Sequence, residues 1–255
     1  MADHTCLNCG QRVEMNYCGR CGQSIKTHRF SLKHIFSHDL IHGIFHFDKG
    51  FFFTATRLLS RPGHSVRSYI QGKRVKHFNY VTFIILLIAI YHLLISASGF
   101  KIAKMIPTDE KTGDLVNGLQ KLWLDNYKIL ALVTIPVYSL FTFLLFRRSR
   151  KNYAEHLVLN AYRQGGELLL NILITAIIIP FKNVPWNQYL VMSLSLIMPL
   201  YTVIFYMQFF SPEYKSRFGV FQRATLVHVL VALVLMLIAY FLLPGLLKEA
   251  LPELK

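Results

Sequence analysis

The sequence predicts a mainly α-helical polytopic membrane protein with about five transmembrane helices, an interfacial amphipathic helix segment and a small N-terminal zinc ribbon. Three observations predict it. The 255 residues are 53% hydrophobic with a mean hydropathy of +0.38, too apolar for an ordinary soluble domain. Five apolar windows approach spanning length. Ahead of them stand four cysteines, Cys6-x2-Cys9-x8-Cys18-x2-Cys21. The expected organisation is a ribbon at 1–25, cytosolic interfacial helices with a histidine ladder at 26–77, and a five-span membrane domain at 78–255.

The ribbon comes first. Each cysteine pair is followed by glycine, Cys6-Leu7-Asn8-Cys9-Gly10 and Cys18-Gly19-Arg20-Cys21-Gly22. The tight turn aims backbone N–H groups at thiolate sulfur and needs backbone angles that glycine tolerates. Four thiolates in two such pairs fit a closed tetrahedral structural Zn²⁺ site, and so short a segment has no core without its metal. A pair of disulfides, disfavoured in the cytosol, and a rubredoxin-like iron remain as alternatives. Residues 1–30 hold charges and no apolar run, so no signal peptide is expected and the N-terminus is expected in the cytosol.

Next, His34, His38, His42 and His46 recur at four-residue steps behind Ser31, a plausible N-cap. On a helix over 31–47 they fall on an arc of about 120°. Leu32, Phe36, Leu40, Ile41, Ile44 and Phe47 fall opposite, which predicts a helix lying in the inner membrane interface. Neighbouring histidines could chelate one transition metal, and a helix length of about 18 Å prevents all four from sharing it. A candidate second site therefore draws on His38, His42 and His46 together with Glu155 and His156, with Asp39 and Asp48 as ligands or orienters and Glu167 and His228 nearby. The plain alternative is a polar face of interfacial histidines. Arg61-Pro62-Gly63 then reads as a turn between two short amphipathic helices, and Lys73-Arg74 as an anchor for an anionic lipid headgroup.

The apolar windows lie at about 78–97, 127–146, 168–181, 189–210 and 224–243. The third is short and reads as a full span or half of a re-entrant hairpin. With the N-terminus inside, segments 1–77, 147–167 and 211–223 hold 20 of the 28 basic residues. That bias supports a bacterial inner-membrane topology with residues 98–126 and the C-terminus outside. The net charge of +15 concentrates beside the membrane, which favours lipid headgroups over nucleic acid as partner.

At these residues the chain resembles a bacterial membrane-protein family known only as domain of unknown function 3667. The elements that carry the resemblance are His38-Asp39-Leu40-Ile41-His42-Gly43-Ile44-Phe45-His46-Phe47-Asp48-Lys49-Gly50, then Thr56, Leu59, Pro62-Gly63 and Tyr69-Ile70-Gln71-Gly72-Lys73-Arg74. Tyr153-Ala154-Glu155-His156 resembles a later motif, and Asn79-Tyr80 departs from the family's Asn-Pro. The resemblance implies a zinc ribbon followed by apolar spans, and implies no activity.

Three functions fit. The first is a membrane scaffold or regulator whose structural ribbon recruits a protein partner or lipid headgroups at the inner face. The second is a metal-dependent membrane enzyme acting on a lipid-like substrate through the histidine and carboxylate site. The third is a small transporter, which needs polar residues inside the spans. The second needs ligands converging from several segments, and the sequence carries no Ser-His-Asp signature and no nucleotide fingerprint.

Overall fold

The computed structural model describes residues 4–35, 50–98, 131–181 and 196–250, with positions 129, 184, 193 and 194 besides. The chain opens with a miniature ribbon. Strand β1 (His4–Thr5) pairs antiparallel with β2 (Arg12–Val13), His4 facing Val13 and Thr5 facing Arg12. The second knuckle is closed by an isolated bridge between Tyr17 and Ser24. The expected histidine helix lies outside the described residues, apart from one helical turn at Leu32–His34.

Two short helices follow, α1 (Gly50–Ser60) and α2 (Pro62–Ile70), hinged at Arg61. Pro62 starts α2, where its missing N–H costs nothing and its fixed φ already suits a helix. A side chain at Gly63 would meet the Phe205 carbonyl at 2.3 Å, so glycine lets the backbone of α2 lie directly against the backbone at Phe205.

Helix α3 (Tyr80–Ser98) begins two residues later than the window predicted. Asn79 Oδ1 accepts from the Val81 amide at 2.8 Å, so Asn79 caps α3 while Tyr80 occupies its first turn. Helix α4 (Ala131–Leu145) is a shorter apolar helix. Helix α5 (Tyr153–Ile178) continues as a tight 3-10 turn to Phe181. Helices α6 (Ile197–Phe210) and α7 (Arg217–Ala250) complete the fold. The core sits where α3 packs along α5, α6 along α7, and α2 across α6, with Phe83, Leu159, Phe205, Phe210 and Val227 wholly buried. Large apolar side chains such as Leu93, Ile177, Leu233 and Met236 face outward, as lipid-facing surface does.

Among the described residues, three helices are long and apolar enough to cross a membrane: Tyr80–Ser98, Tyr153–Phe181 and Arg217–Ile238. They match the first, third and fifth expected windows. The third differs most. The window places a cytosolic segment up to residue 167, whereas helix already begins at Tyr153. The reason is local capping joined to buried polarity. Asn152 and Glu155 form a reciprocal capping box that starts the helix. Asn160, Arg163 and Gln164 then lower the hydropathy of a stretch that is nonetheless buried.

Candidate metal centre and the basic cavity beside it

The two knuckles repeat one backbone pattern. In the first, Cys6 N–H donates to the Gln11 carbonyl at 2.9 Å and Gly10 N–H to the Cys6 carbonyl at 2.9 Å. In the second, Cys18 N–H donates to the Gln23 carbonyl at 2.9 Å and Gly22 N–H to the Cys18 carbonyl at 2.8 Å. Gly10 and Gly22 have φ of 75° and 74°, the left-handed conformation that selects glycine. Sulfurs meet across the two pairs, Cys6 with Cys21 at 3.6 Å and Cys9 with Cys18 at 3.5 Å, and all four lie within 4.8 Å of one another.

The donor set fits a tetrahedral metal ion. Metal–sulfur bonds of about 2.3 Å place tetrahedral sulfurs roughly 3.8 Å apart. Backbone amides tune the thiols as the glycine turns predict. The Gln23 amide and then the Asn8 side chain, both hydrogen-bonded to Cys21, hold its thiol down to about 6. Cys9 accepts from the Gln11 amide, but burial and the neighbouring sulfurs outweigh that bond and push its thiol up to about 12. Four sulfurs at this spacing cannot all ionise without a cation among them, and a divalent ion supplies that charge.

The ribbon is docked on the helices. The buried Gln23 carboxamide donates to the Gly72 carbonyl at 2.8 Å and accepts from the Arg74 amide at 3.1 Å. Beyond it, Phe30 is buried against Tyr69 and Tyr80, and its carbonyl accepts from the Asn152 side chain at 2.9 Å. Arg29 pairs with Glu155 and donates to the Arg150 carbonyl.

Between ribbon and helices lies a cavity of about 600 Å³. Asn8, Cys9, Arg20 and Cys21 form one wall, and α1, the Arg61 hinge, α2 and the loop from Lys73 to His77 form the other. Lys73, expected at a lipid headgroup, lines this cavity. Arg74 does not: its guanidinium lies 3.8 Å over the Phe30 ring and donates to the His28 carbonyl at 2.9 Å.

Of the remaining predicted site residues, only Glu155 and His156 are among the described ones. His38, His42 and His46, with Asp39 and Asp48, lie outside the described residues. Glu155 and His156 are consecutive but turn to different partners. Glu155 faces Arg29, while His156 is buried with Nδ1 3.0 Å from Thr142 Oγ1 and its ring against Phe143 and Phe210. His156 Nε2 is buried with no partner among the described residues.

The windows missed a polar layer inside the helices. Asn160 donates to Ser139 Oγ, Thr142 Oγ1 and the His156 carbonyl, and accepts from Tyr206. One turn on, the wholly buried Arg163 pairs with Glu167, donates to Gln164 at 3.2 Å and lies 3.6 Å over the Tyr138 ring. Glu167 also accepts from Thr202, and Tyr138 meets His228 at 3.0 Å. The clue in the sequence is the spacing of Asn160, Arg163 and Glu167 along one helical face.

Residues 48–92 match the family described as "Protein of unknown function (DUF3667)". That match and the resemblance read from the motifs coincide from Asp48 to Arg74. No curated protein and no solved structure matches the chain.

Proposed function

We propose that this chain is a multi-pass protein of the bacterial inner membrane that serves as a scaffold or regulator, with a structural zinc ribbon held at the cytosolic ends of five spans. The observation that carries this reading is the docking of the ribbon. A free recruiting module would hang on a linker, whereas Gln23 and Arg29 fasten this one to Gly72, Arg74 and Glu155. A closed set of four thiolates leaves the metal no open position, so its role is to fold and present the ribbon. The thiolate donors and their spacing favour zinc. The partner is then a protein or an anionic headgroup meeting the ribbon face.

Two measurements on the purified protein test this. Metal analysis should find one zinc per chain. Impermeant thiol labelling of Ser98→Cys and Leu254→Cys, in a background without the native cysteines, should label both from outside. A zinc-free folded chain, or a labelled site that opens only from inside, overturns the reading.

One observation favours a second reading, the metal-dependent enzyme with a site at His38, His42, His46, Glu155 and His156. The buried, unpartnered Nε2 of His156 is a ligand valence still open among the described residues. A second transition metal per chain, lost in His156→Gln, separates the two readings.

A further inference from the structure

We propose that the cavity between the second knuckle and the α1–α2 pair is a binding site for a phosphate-bearing ligand. The inference deepens the scaffold reading and rests on it in one respect. Arg20 stands inside the second knuckle, so the site is complete only when the metal-bound ribbon is folded and docked.

Five cations from three separate stretches converge on this one cavity: Arg20, Arg57 and Arg61, and Lys73 and Lys76. His64 lines the same wall. No carboxylate lines the cavity among the described residues. The molecule does pair other cations on neighbouring elements. Arg67, on the same α2 helix, meets Glu213 at 3.1 Å, Lys151 meets that same carboxylate at 3.7 Å, and Arg29 meets Glu155 at 2.7 Å. None of the five cavity cations has an ion-pair partner among the described residues. Like charges gathered around a concave wall repel one another, and focus a positive potential that an anion relieves.

The donor types point to phosphate. Three of the five are arginines, whose planar forks bind phosphate oxygens two at a time, and two are lysines, which act as point charges. Arg57 is already oriented, its guanidinium 5.4 Å over the Phe53 ring that lines the same cavity. A volume of about 600 Å³ is within the range of small-ligand pockets, with room for an organic group beyond the phosphate. That chemistry is shared by a lipid headgroup and a soluble phosphorylated molecule.

The test uses full-length, zinc-loaded protein in phosphatidylcholine nanodiscs. Calorimetric titration with inorganic pyrophosphate should give saturable binding. Arg57→Gln/Arg61→Gln should weaken it about 10-fold or more, through loss of charge-assisted contacts. Arg147→Gln/Arg148→Gln removes equal charge from exposed positions outside the cavity and should bind as the native chain does. If the arginine pair fails to fold, Lys73→Gln/Lys76→Gln takes its place. Replacing part of the phosphatidylcholine with phosphatidic acid distinguishes the sources. Competition with pyrophosphate identifies a headgroup, and unchanged affinity identifies a soluble ligand. Absence of saturable binding by the zinc-loaded native chain, or equal weakening in the Arg147/Arg148 control, overturns the inference and leaves the scaffold reading standing. A chain that carries no zinc counts against the scaffold reading instead.

Discussion

Arg29 and Glu155 lie 126 residues apart and close a two-pronged ion pair, Nε on Oε1 at 2.9 Å and Nη2 on Oε2 at 2.7 Å. The same carboxylate accepts from the Asn152 amide at 2.8 Å, where it helps to start α5. One side chain thus caps a candidate membrane span and holds the segment leading from the ribbon. Ribbon position and helix start are therefore coupled through Glu155.

Glu155→Ala should loosen both, and Arg29→Ala only the ribbon side. We expect Glu155→Ala to lose roughly 1–3 kcal/mol, from the lost charge-assisted pair and half of the capping box. Limited trypsin digestion reads the ribbon side as faster cleavage after Lys26. Thermal unfolding of the spans reads the helix side. If cleavage after Lys26 proceeds at the native rate in both variants, the pair does not hold the linker.

Metal removal should act locally. Cys18→Ser, or chelation of the native chain, should unfold residues 4–25 and free Gln23 from Gly72, because Val13 and the cysteines form a core too small to stand without the ion. Far-ultraviolet dichroism, dominated by the helices, should change little. Amide exchange at Gly10 and Gly22, both hydrogen-bonded within their knuckles, should become fast. Protected knuckle amides in a metal-free chain would contradict the structural role of the ion.

The knuckles were legible because their chemistry is local: ligands, turns and glycines lie within a few residues of one another. The entry to α3 was legible to within two residues for the same reason. The start of α5 was not. A hydropathy window scores Asn160 and Arg163 by their own side chains, while the partners that make their burial tolerable, Ser139, Thr142, Tyr138 and Tyr206, come from other helices. Arg163, counted among the basic residues of segment 147–167, is wholly buried within the fold. The basic cavity was hidden for a related reason. Arg20, Arg57 and Lys76 stand in three separate stretches of the sequence, and only the docked ribbon brings them to one place.

A pH response should reside at His77. Burial pushes its imidazole down to about 4 from an ordinary 6.5, with the backbone bonds around it insufficient to offset that burial and the Arg57 charge adding to it. The unfolded chain therefore takes up a proton that the folded chain refuses. The stability linked to His77 is complete above about pH 6.5 and declines as pH falls toward about 4. His77→Gln, which can keep a bond to Ser65, should flatten that part of the stability profile. The comparison isolates His77 because the acid sensitivity of the cysteine site is common to both chains. Superimposable pH profiles would exclude His77 as the responsive group.

The Arg163–Glu167 pair permits the last prediction. Both groups lie within the helix Tyr153–Phe181, Arg163 without solvent contact and Glu167 15% exposed. Breaking such a pair strands a charge away from water and costs roughly 3–5 kcal/mol, whereas replacing both partners with apolar groups of similar size removes the stranded charge. Arg163→Leu should therefore destabilise strongly, since among the described residues it leaves Glu167 with only Thr202 as a neutral donor. Arg163→Met/Glu167→Leu should recover most of the loss. Thermal midpoints in detergent, measured by size-exclusion recovery after heating, give the comparison. If the double variant recovers stability, the pair serves no packing need that apolar side chains cannot meet, and its presence in a span then argues for a role in handling charge. If the single variant is as stable as the native chain, Glu167 is reached by water and the pair carries no stability.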